Sequence, residues 1–390
     1  MKDLISIFLT FFRLGCIAFG GPAAHLALFK QTFVDERRWL SADSYAQMMA
    51  IAQFTPGPAS SQVGICLGMH RAGQLGGFAA WLGFTLPTAI LLVLAAFGLT
   101  QWQTENLTGV ITGLKLATAA IVLHACYSMT KQFCTSKLTW LLLIASTCVM
   151  ILFDHFLLQF LVIVAAALSA MFFAPALEKS NTPVQLDISR TLAVSSLLLL
   201  LALLVVLPIV SQNSSNSSLM LFDSFYRIGA SVFGGGHVVL PMLENEVVAN
   251  GWVSLDDFLA GYGVTQAMPG PIFTFAAFLG GVNQLDIPVL VGAGISLIAI
   301  FLPSFLLINC CFYFWQNIAA NQAVQKALLG INASVVGFLV AAFYQPILTN
   351  AIDEYWQIAL VLALAVVLQL KWLPAWLLVV ASGLITGLLL

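Results

Sequence analysis

Apolar runs long enough to cross a lipid bilayer follow one another along almost the whole 390-residue chain. Spanning the hydrocarbon core as a helix takes about 20 consecutive apolar residues. Residues 76–99, 109–129, 138–153, 156–173, 191–210, 288–311, 328–344, 356–370 and 374–390 are runs of this kind. Charge points the same way: 8% of the residues are Asp, Glu, Lys or Arg and 61% are hydrophobic, whereas a soluble domain carries about 25% charged residues. Such a chain cannot cover itself with polar groups, so lipid is its solvent. In lipid every backbone N–H and C=O needs a partner within the protein, which leaves an all-α polytopic membrane protein.

The chain also repeats itself. Phe12-Arg13-Leu14-Gly15 matches Tyr226-Arg227-Ile228-Gly229, and Phe19-Gly20-Gly21 matches Phe233-Gly234-Gly235 at the same offset. Further along, Trp39-Leu40-Ser41 matches Trp252-Val253-Ser254, and Gln53-Phe54-Thr55-Pro56-Gly57-Pro58 matches Gln266-Ala267-Met268-Pro269-Gly270-Pro271. Phe84-Thr85-Leu86-Pro87 matches Ile300-Phe301-Leu302-Pro303, and Gly113 matches Gly330. These landmarks keep their order and nearly their spacing. The expected organisation is a repeat over 1–175, a linker over 176–214 with one transmembrane helix, and a second repeat over 215–390. One linker helix between copies with an even number of crossings turns the second copy upside down, the inverted-repeat plan of many secondary transporters.

Charge placement tests that parity. If residues 12–33 enter the membrane, break and return as a hairpin, and residues 45–69 do the same, each half has two broken, re-entrant hairpins and about four spanning helices. Lys2, Lys30, Arg37, Arg38, Arg71, Lys131, Lys137, Lys179 and Arg190 then share one side. The hairpin loops of the second half, with Glu244, Glu246, Asp256 and Asp257, take the other, and Lys326 and Lys371 return to the first. That is the positive-inside pattern with a cytoplasmic N-terminus. Full crossings would put Lys30, Arg37 and Arg38 outside; both arrangements keep the inversion, and the hairpins fit the charges better.

Glycine pairs and proline stop a helix, because proline lacks a donor and disfavours helix in the residue before it. Broken helices in membranes sit in protein or beside a watery cavity, and a helix N-terminus that starts after a break offers unpaired N–H groups to an anion. Each half has two breaks: Gly20, Gly21 and Pro22 with Pro56, Gly57 and Pro58, then Gly234, Gly235 and Gly236 with Pro269, Gly270 and Pro271. A packing kink is the competing explanation for any one of them.

Arg13 and Arg227 stand at matching places before the breaks, and Lys115 lies inside the 109–129 run. A charge at the bilayer centre costs about 2.5–3.5 kcal/mol even on an insertion scale, and no acidic residue falls well inside an apolar run. Three cations without buried counter-ions suggest a substrate that brings the negative charge; snorkelling to the headgroups is the alternative. Ser60, Ser61 and Gln62 follow the first Pro-Gly-Pro with donors, where the second copy has Phe273, Thr274 and Phe275. Gln53 and Gln266 precede the two motifs and would either donate to an oxyanion or tie down freed carbonyls. His25, His237 and His124 read first as packing residues, and Trp39 and Trp252 as interfacial anchors.

Other classes are excluded or reduced. The net charge of −2 is uninformative, and no basic cluster suggests nucleic acid. Seven cysteines lie in or beside apolar runs without metal-ligand spacing, so neither a disulfide framework nor a metal site is expected. Leu14-Gly15-Cys16 faintly resembles a lipoprotein cleavage box, but Arg13 interrupts the apolar core such a signal needs, so the N-terminus is expected to be retained. There is no phosphate-binding loop with Gly-Lys-Ser/Thr and no His-Glu-x-x-His cluster. No enzyme activity and no cofactor are expected.

Several strings carry a family resemblance. Residues 19–25 (FGGPAAH), 36–41 (ERRWLS), 53–64 (QFTPGPASSQVG) and 79–87 (AAWLGFTLP) resemble the chromate ion transporter family, and 233–244 (FGGGHVVLPMLE) with 266–271 (QAMPGP) resemble its C-terminal domain. The chain is similar to a two-domain, long-chain member. The resemblance implies an inner-membrane carrier that exports chromate and confers resistance to it, with sulfate as a mimic. Arg13, Gly20, Gly21, Pro22, His25, Trp39, Pro56, Gly57 and Pro58 stand where the family's N-terminal motifs stand. Gly236 in place of a proline departs from the pattern.

The expected protein is therefore a secondary carrier for a tetrahedral oxyanion, working by alternating access, with a passive anion channel or an exchanger for another oxyanion as the alternative. Its substrate-binding set is Arg13, Arg227, Lys115, the four breaks, His25, Gln53, Gln266, Ser60 and Ser61. Its partners are the oxyanion, membrane lipid and, as one option, a second copy in a homodimer.

Overall fold

The computed structural model describes residues 2–101, 108–153, 156–175, 188–214, 216–233, 236–319, 321–352 and 354–389. Gly234 and Gly235, and most of the polar stretch before the linker helix, lie outside the described residues. The chain is 85% helical with no strand among the described residues, so the fold class is the expected one.

The helices run in chain order as α1 (Lys2–Ile17), α2 (Gly21–Phe29), α3 (Ala42–Phe54), α4 (Ala59–Gln101), α5 (Thr108–Phe133), α6 (Lys137–Leu152), α7 (Phe156–Phe173) and α8 (Arg190–Gln212). They continue as α9 (Ser217–Ser231), α10 (Val239–Val247), α11 (Leu255–Ala267), α12 (Phe275–Gly281), α13 (Val289–Ala319) and α14 (Gln322–Ala342). A single turn, α15 (Thr349–Ala351), precedes α16 (Tyr355–Gln369) and α17 (Ala375–Leu389). Each apolar run read from the sequence falls on one of these helices. Among the described residues, five stretches are long and apolar enough to cross a membrane: Ala59–Gly98, Gly109–Phe133, Arg190–Gln212, Val289–Trp315 and Gln322–Ala351. Polar side chains start many of the helices. Ser136 and Thr139 form a reciprocal capping box on α6, Ser189 accepts from Leu192 N–H on α8, and Asn216 accepts from Ser218 and Leu219 N–H on α9. Such caps are worth about 1 kcal/mol each.

The chain forms two compact units, and each draws helices from both sequence halves. The first comprises Met1–Phe97, Ser180–Gly236 and Met268–Ala320; the second comprises Gly98–Lys179, His237–Ala267 and Asn321–Leu390.

In the first unit, α1 and α2 fold back on each other. Phe11 lies 5.5 Å from Phe29 and 4.9 Å from Phe33, ring centre to ring centre, although these residues flank the break at 18–20. The far ends of this hairpin meet at one place: the Arg71 guanidinium lies 3.8 Å from Asp3 and 5.9 Å from the Trp39 ring. The two ends of the segment 2–39 therefore lie close together. The long α4 is also folded in two. Ala72 (φ −147°) and Gly73 (φ 62°) leave helical geometry, and the arms on either side pack through Gly68, Gly76 and Gly77. Its second arm, 74–101, is roughly 42 Å long at 1.5 Å per residue, long enough to cross a bilayer. α12 and α13 pack the same way through Gly280 and Gly292. The linker helix α8 lies against α13, where Asn309 donates to Ser196 Oγ at 3.3 Å, and against α9, where Tyr226 donates to Leu200 O at 3.3 Å.

The second unit interlocks the halves reciprocally. α5 packs on α17 and α16, and α14 packs on α7 and α6. Gly113 of α5 sits against Ser382, whose hydroxyl donates to Gly113 O at 2.9 Å. Its repeat mate Gly330 on α14 sits against Ala166 of α7. Small residues at such crossings let backbones approach closely, the main packing device between helices in lipid.

Candidate functional site

The four breaks are where the two halves hold each other inside the first unit. Between α3 and α4, Gly57 N–H donates to Val232 O at 2.6 Å, just past the end of α9. Between α11 and α12, Gly270 N–H donates to Ala18 O at 2.8 Å, just past the end of α1. Aligning the halves makes Gly57 the mate of Gly270 and Ala18 the mate of Val232, so the two bonds are one bond made twice. Both glycines have positive φ, 117° and 104°, a region that L side chains rarely enter. Both are also tightly faced. A Cβ on Gly57 would lie 2.6 Å from Gln62 Nε2 and 2.9 Å from Ser304 Oγ, and one on Gly270 would run into Thr88 Oγ1. Ser304 and Thr88 are again mates, each following the matched proline of its half.

Side chains satisfy the carbonyls that the breaks release. Gln62, fully buried, donates from Nε2 to Pro56 O at 2.6 Å and accepts on Oε1 from the Thr55 hydroxyl at 2.9 Å. Thr88 donates its hydroxyl to Pro269 O. His25, 1% exposed, has Nε2 3.0 Å from Ala18 O and Nδ1 3.2 Å from Ser60 Oγ. A carbonyl only accepts, so Nε2 carries the proton and the neutral Nδ1 accepts from Ser60. His25 is thereby a structural tie between α2, α4 and the first break.

The N-terminus of α2 has Gly20 before it in left-handed geometry (φ 99°), Pro22 in its first turn and no side-chain cap. At the start of α4, Ser61 Oγ is buried and has no hydrogen-bond partner among the described residues. In the second half the corresponding break tightens into a 3₁₀ turn, Gly236–Val238, before α10; this is where glycine replaces the proline of the first copy. Pro271 leads into a second short 3₁₀ turn, Ile272–Thr274.

The three intramembrane cations divide. Arg227 is not without a counter-ion: Nε lies 3.1 Å from Asp223 Oδ2 one turn earlier, and Nη2 donates to Ser224 Oγ at 3.3 Å. Asp223 is 4% exposed and also accepts from Ser211 at 3.1 Å. On a helix Asp223 lies on the face of Arg227, four residues away. Lys115, in the second unit, pairs with Asp256 of the same unit. Both cations therefore have carboxylate partners, and the buried Asp223 corrects the expectation that Arg227 has no buried counter-ion; Asp256 is 64% exposed. Arg13 differs. It lies on the exposed stripe of α1 between Leu9 and Ile17, themselves 57% and 52% exposed, and has no ion pair or hydrogen bond among the described residues.

The glutamines also divide. Gln53 is exposed and does not join the breaks; Gln62 does that work. Gln266 belongs to the second unit, with its amide nitrogen buried and without a partner among the described residues. Sequence reasoning had Gln62 in view only as a neighbouring donor and missed Thr88 and Ser304. Their signal was readable: a hydroxyl directly after each of the matched prolines Pro87 and Pro303. Among the described residues no group of His, Cys, Asp and Glu could hold a metal ion.

The chain is similar to known proteins along most of its length. It is 26% identical over 340 residues to the chromate transport protein of Pseudomonas aeruginosa, covering 86% of this chain and 79% of that one. It is 25% identical over 393 residues to the chromate transport protein of Cupriavidus metallidurans, covering 99% and 92%. An uncharacterized transporter of Methanocaldococcus jannaschii is 26% identical over 340 residues, covering 86% and 83%. No solved structure matches the chain. The chromate transporter family model matches twice, over residues 5–172 and again over 219–388, and each match contains one of the paired sets of breaks: the chain belongs to the chromate transporter family.

Proposed function

We propose that this protein is a secondary carrier that exports chromate, or a closely similar tetrahedral oxyanion, from the cytoplasm across the inner membrane. It is built from two inverted repeats and works by alternating access, and its activity confers chromate resistance. Family membership supports the substrate class, and the double family match supports the repeats. The observation that carries the site is the first unit's geometry. Four chain breaks are locked together by reciprocal backbone bonds, and Arg13, a cation without a carboxylate partner among the described residues, stands about two turns before one of them.

In this account Arg13 supplies positive charge to the dianion, and the uncapped start of α2 and the Ser61 hydroxyl supply hydrogen bonds. Such donors are suited to an oxyanion because they are fixed in place before it arrives. Arg227, held by Asp223, keeps the second copy of the motif neutral. The two halves therefore differ in charge at matching positions, and Arg13 is the charge that binds. With the N-terminus cytoplasmic, a dianion leaving a negative-inside cell gains about 4.6 kcal/mol per 100 mV, enough for roughly a thousandfold gradient.

The test is radiolabelled chromate uptake into inside-out vesicles under an imposed inside-positive potential, with wild type beside Arg13→Gln. The carrier predicts saturable uptake that follows the potential, is blocked by sulfate, shows counterflow and is lost in Arg13→Gln. Flux equal to that of empty vesicles sinks the chromate assignment; unsaturable flux without counterflow makes the protein a channel.

A further inference from the structure

Three buried donors of α4, all in the first unit, have no hydrogen-bond partner among the described residues: Ser61 Oγ, Trp81 Nε1 and Thr85 Oγ1. The three residues are 2%, 8% and 1% exposed. A buried donor left open costs free energy. Serine and threonine on helices commonly satisfy themselves by bonding a carbonyl of the preceding turn, as Thr55 does with Ile51 O; Ser61 and Thr85 do not. The indole N–H of Trp81 can only donate, so the missing group beside it is an acceptor. At the matching places the second copy has Thr274, whose hydroxyl donates to Pro271 O at 2.5 Å, then Leu297 and Phe301. The fold is therefore built once without open donors here, and they are not a requirement of its packing.

Packing gathers the three at the breaks. The arms of α4 run antiparallel, with Gly68 against Gly76 and Ala80, and Ile65 against Gly77. One turn further along both arms Ser61 comes opposite Trp81, and Thr85 follows a turn later on the same face of the second arm. Contacts on either side of Ser61 give the same placement. Ser60 Oγ is held by His25, whose ring lies 5.3 Å from that of Phe84. Gln62 Nε2 lies 3.5 Å from Ser304 Oγ, on the turn of α13 whose Phe301 and Phe305 rings sit 5.7 and 5.8 Å from the Trp81 ring. Beyond Thr85, Thr88 donates to Pro269 O. The open donors thus lie between the Pro-Gly-Pro breaks of the two halves.

A tetrahedral oxyanion offers acceptors on every side and, when fully ionised, brings no proton that needs an acceptor in return. A protonated one, such as hydrogen phosphate, brings an O–H that the indole cannot accept, and a site that leaves a polar group unpaired rejects its ligand strongly. We propose, resting on the carrier reading above, that Ser61, Trp81 and Thr85 are the specificity-determining donors of the transported anion. They grip a fully ionised tetrahedral dianion of the chromate or sulfate type between the breaks and disfavour protonated oxyanions of the same shape.

The test is equilibrium binding of radiolabelled chromate to the purified full-length chain in detergent, with thermal midpoints measured in the absence of chromate. Trp81→Phe, Thr85→Val and Ser61→Ala each delete one donor, and each is expected to weaken chromate affinity at least tenfold. Thr85→Val and Ser61→Ala nearly keep the shape, so their midpoints should stay at or above wild type, because no partner is lost. Thr88→Val is the structural counterpart and should melt lower, since Pro269 O loses its donor. Phosphate at neutral pH should compete with chromate at least tenfold more weakly than sulfate. Wild-type affinity in Trp81→Phe and Thr85→Val overturns the proposal and leaves the carrier reading standing. So does a midpoint in Thr85→Val as low as that of Thr88→Val, or phosphate that competes as well as sulfate. No saturable chromate binding by the wild type overturns the carrier reading along with the proposal.

Discussion

Replacing Gly57 by alanine tests the breaks directly. An L residue held at φ 117° bears about 1–3 kcal/mol of backbone strain. The new methyl would lie 2.6 Å from Gln62 Nε2 and 2.9 Å from Ser304 Oγ, well inside van der Waals contact. Relief requires either Gln62 to release Pro56 O or the Gly57 N–H to withdraw from Val232 O. Each option leaves a buried carbonyl unsatisfied, at about 1–3 kcal/mol. The sum is about 2–6 kcal/mol, which at roughly 1.2 °C per kcal/mol for a chain of this size corresponds to a fall in thermal midpoint of about 2.5–7 °C. The assay is the midpoint of the detergent-purified protein, read as the fraction still eluting as a single folded species after heating. Gly294→Ala is the control, because a methyl there meets nothing within 4 Å. Adding Ser304→Ala to Gly57→Ala removes one contact but not the strain, so it should recover only part of the loss. If Gly57→Ala melts within 2 °C of Gly294→Ala, the reciprocal break contact is not what holds these segments.

The other perturbations separate structural from functional charge. Arg227→Gln leaves Asp223 buried with only Ser211 and should cost about 3–5 kcal/mol; Asp223→Asn with Arg227→Gln should melt higher than the single variant, and if it melts lower the pair is not the reason Arg227 is there. Gln62→Leu should cost about 1–3 kcal/mol by orphaning Pro56 O, read from the same melts. Lys115→Met should change stability by less than about 1 kcal/mol, because its partner Asp256 is 64% exposed and such pairs are worth little. Arg13→Gln should melt with wild type, since its guanidinium has no partner among the described residues, so any loss of transport in that variant is not a folding defect.

The helices were legible because apolar runs of bilayer length admit little else, and the breaks because glycine pairs and Pro-Gly-Pro cannot continue a helix. For residues 12–33 the charges favoured a hairpin, since Lys2, Lys30, Arg37 and Arg38 share a side only if the chain turns back; what the structure adds is that Asp3, Trp39 and Arg71 meet. The pairing of Arg227 was readable in principle from its spacing to Asp223, but hydropathy alone marks Asp223 as an edge. The Lys115–Asp256 pair joins distant segments and leaves no local pattern. The same holds for the interleaving of the halves, in which Gly113 meets Ser382 and Gly330 meets Ala166: small residues advertise a close crossing without naming the partner. Trp81 and Thr85 were invisible as donors because an indole or a hydroxyl in an apolar run does not show whether a partner lies beside it.

The central claim is that the first unit binds an oxyanion with Arg13. Equilibrium binding of radiolabelled chromate to the purified protein, with Arg13→Gln and Lys115→Met alongside, tests it without requiring transport. The account predicts saturable binding in wild type and Lys115→Met, competed by sulfate, and a loss of at least tenfold in affinity in Arg13→Gln. Wild-type affinity in Arg13→Gln would contradict it.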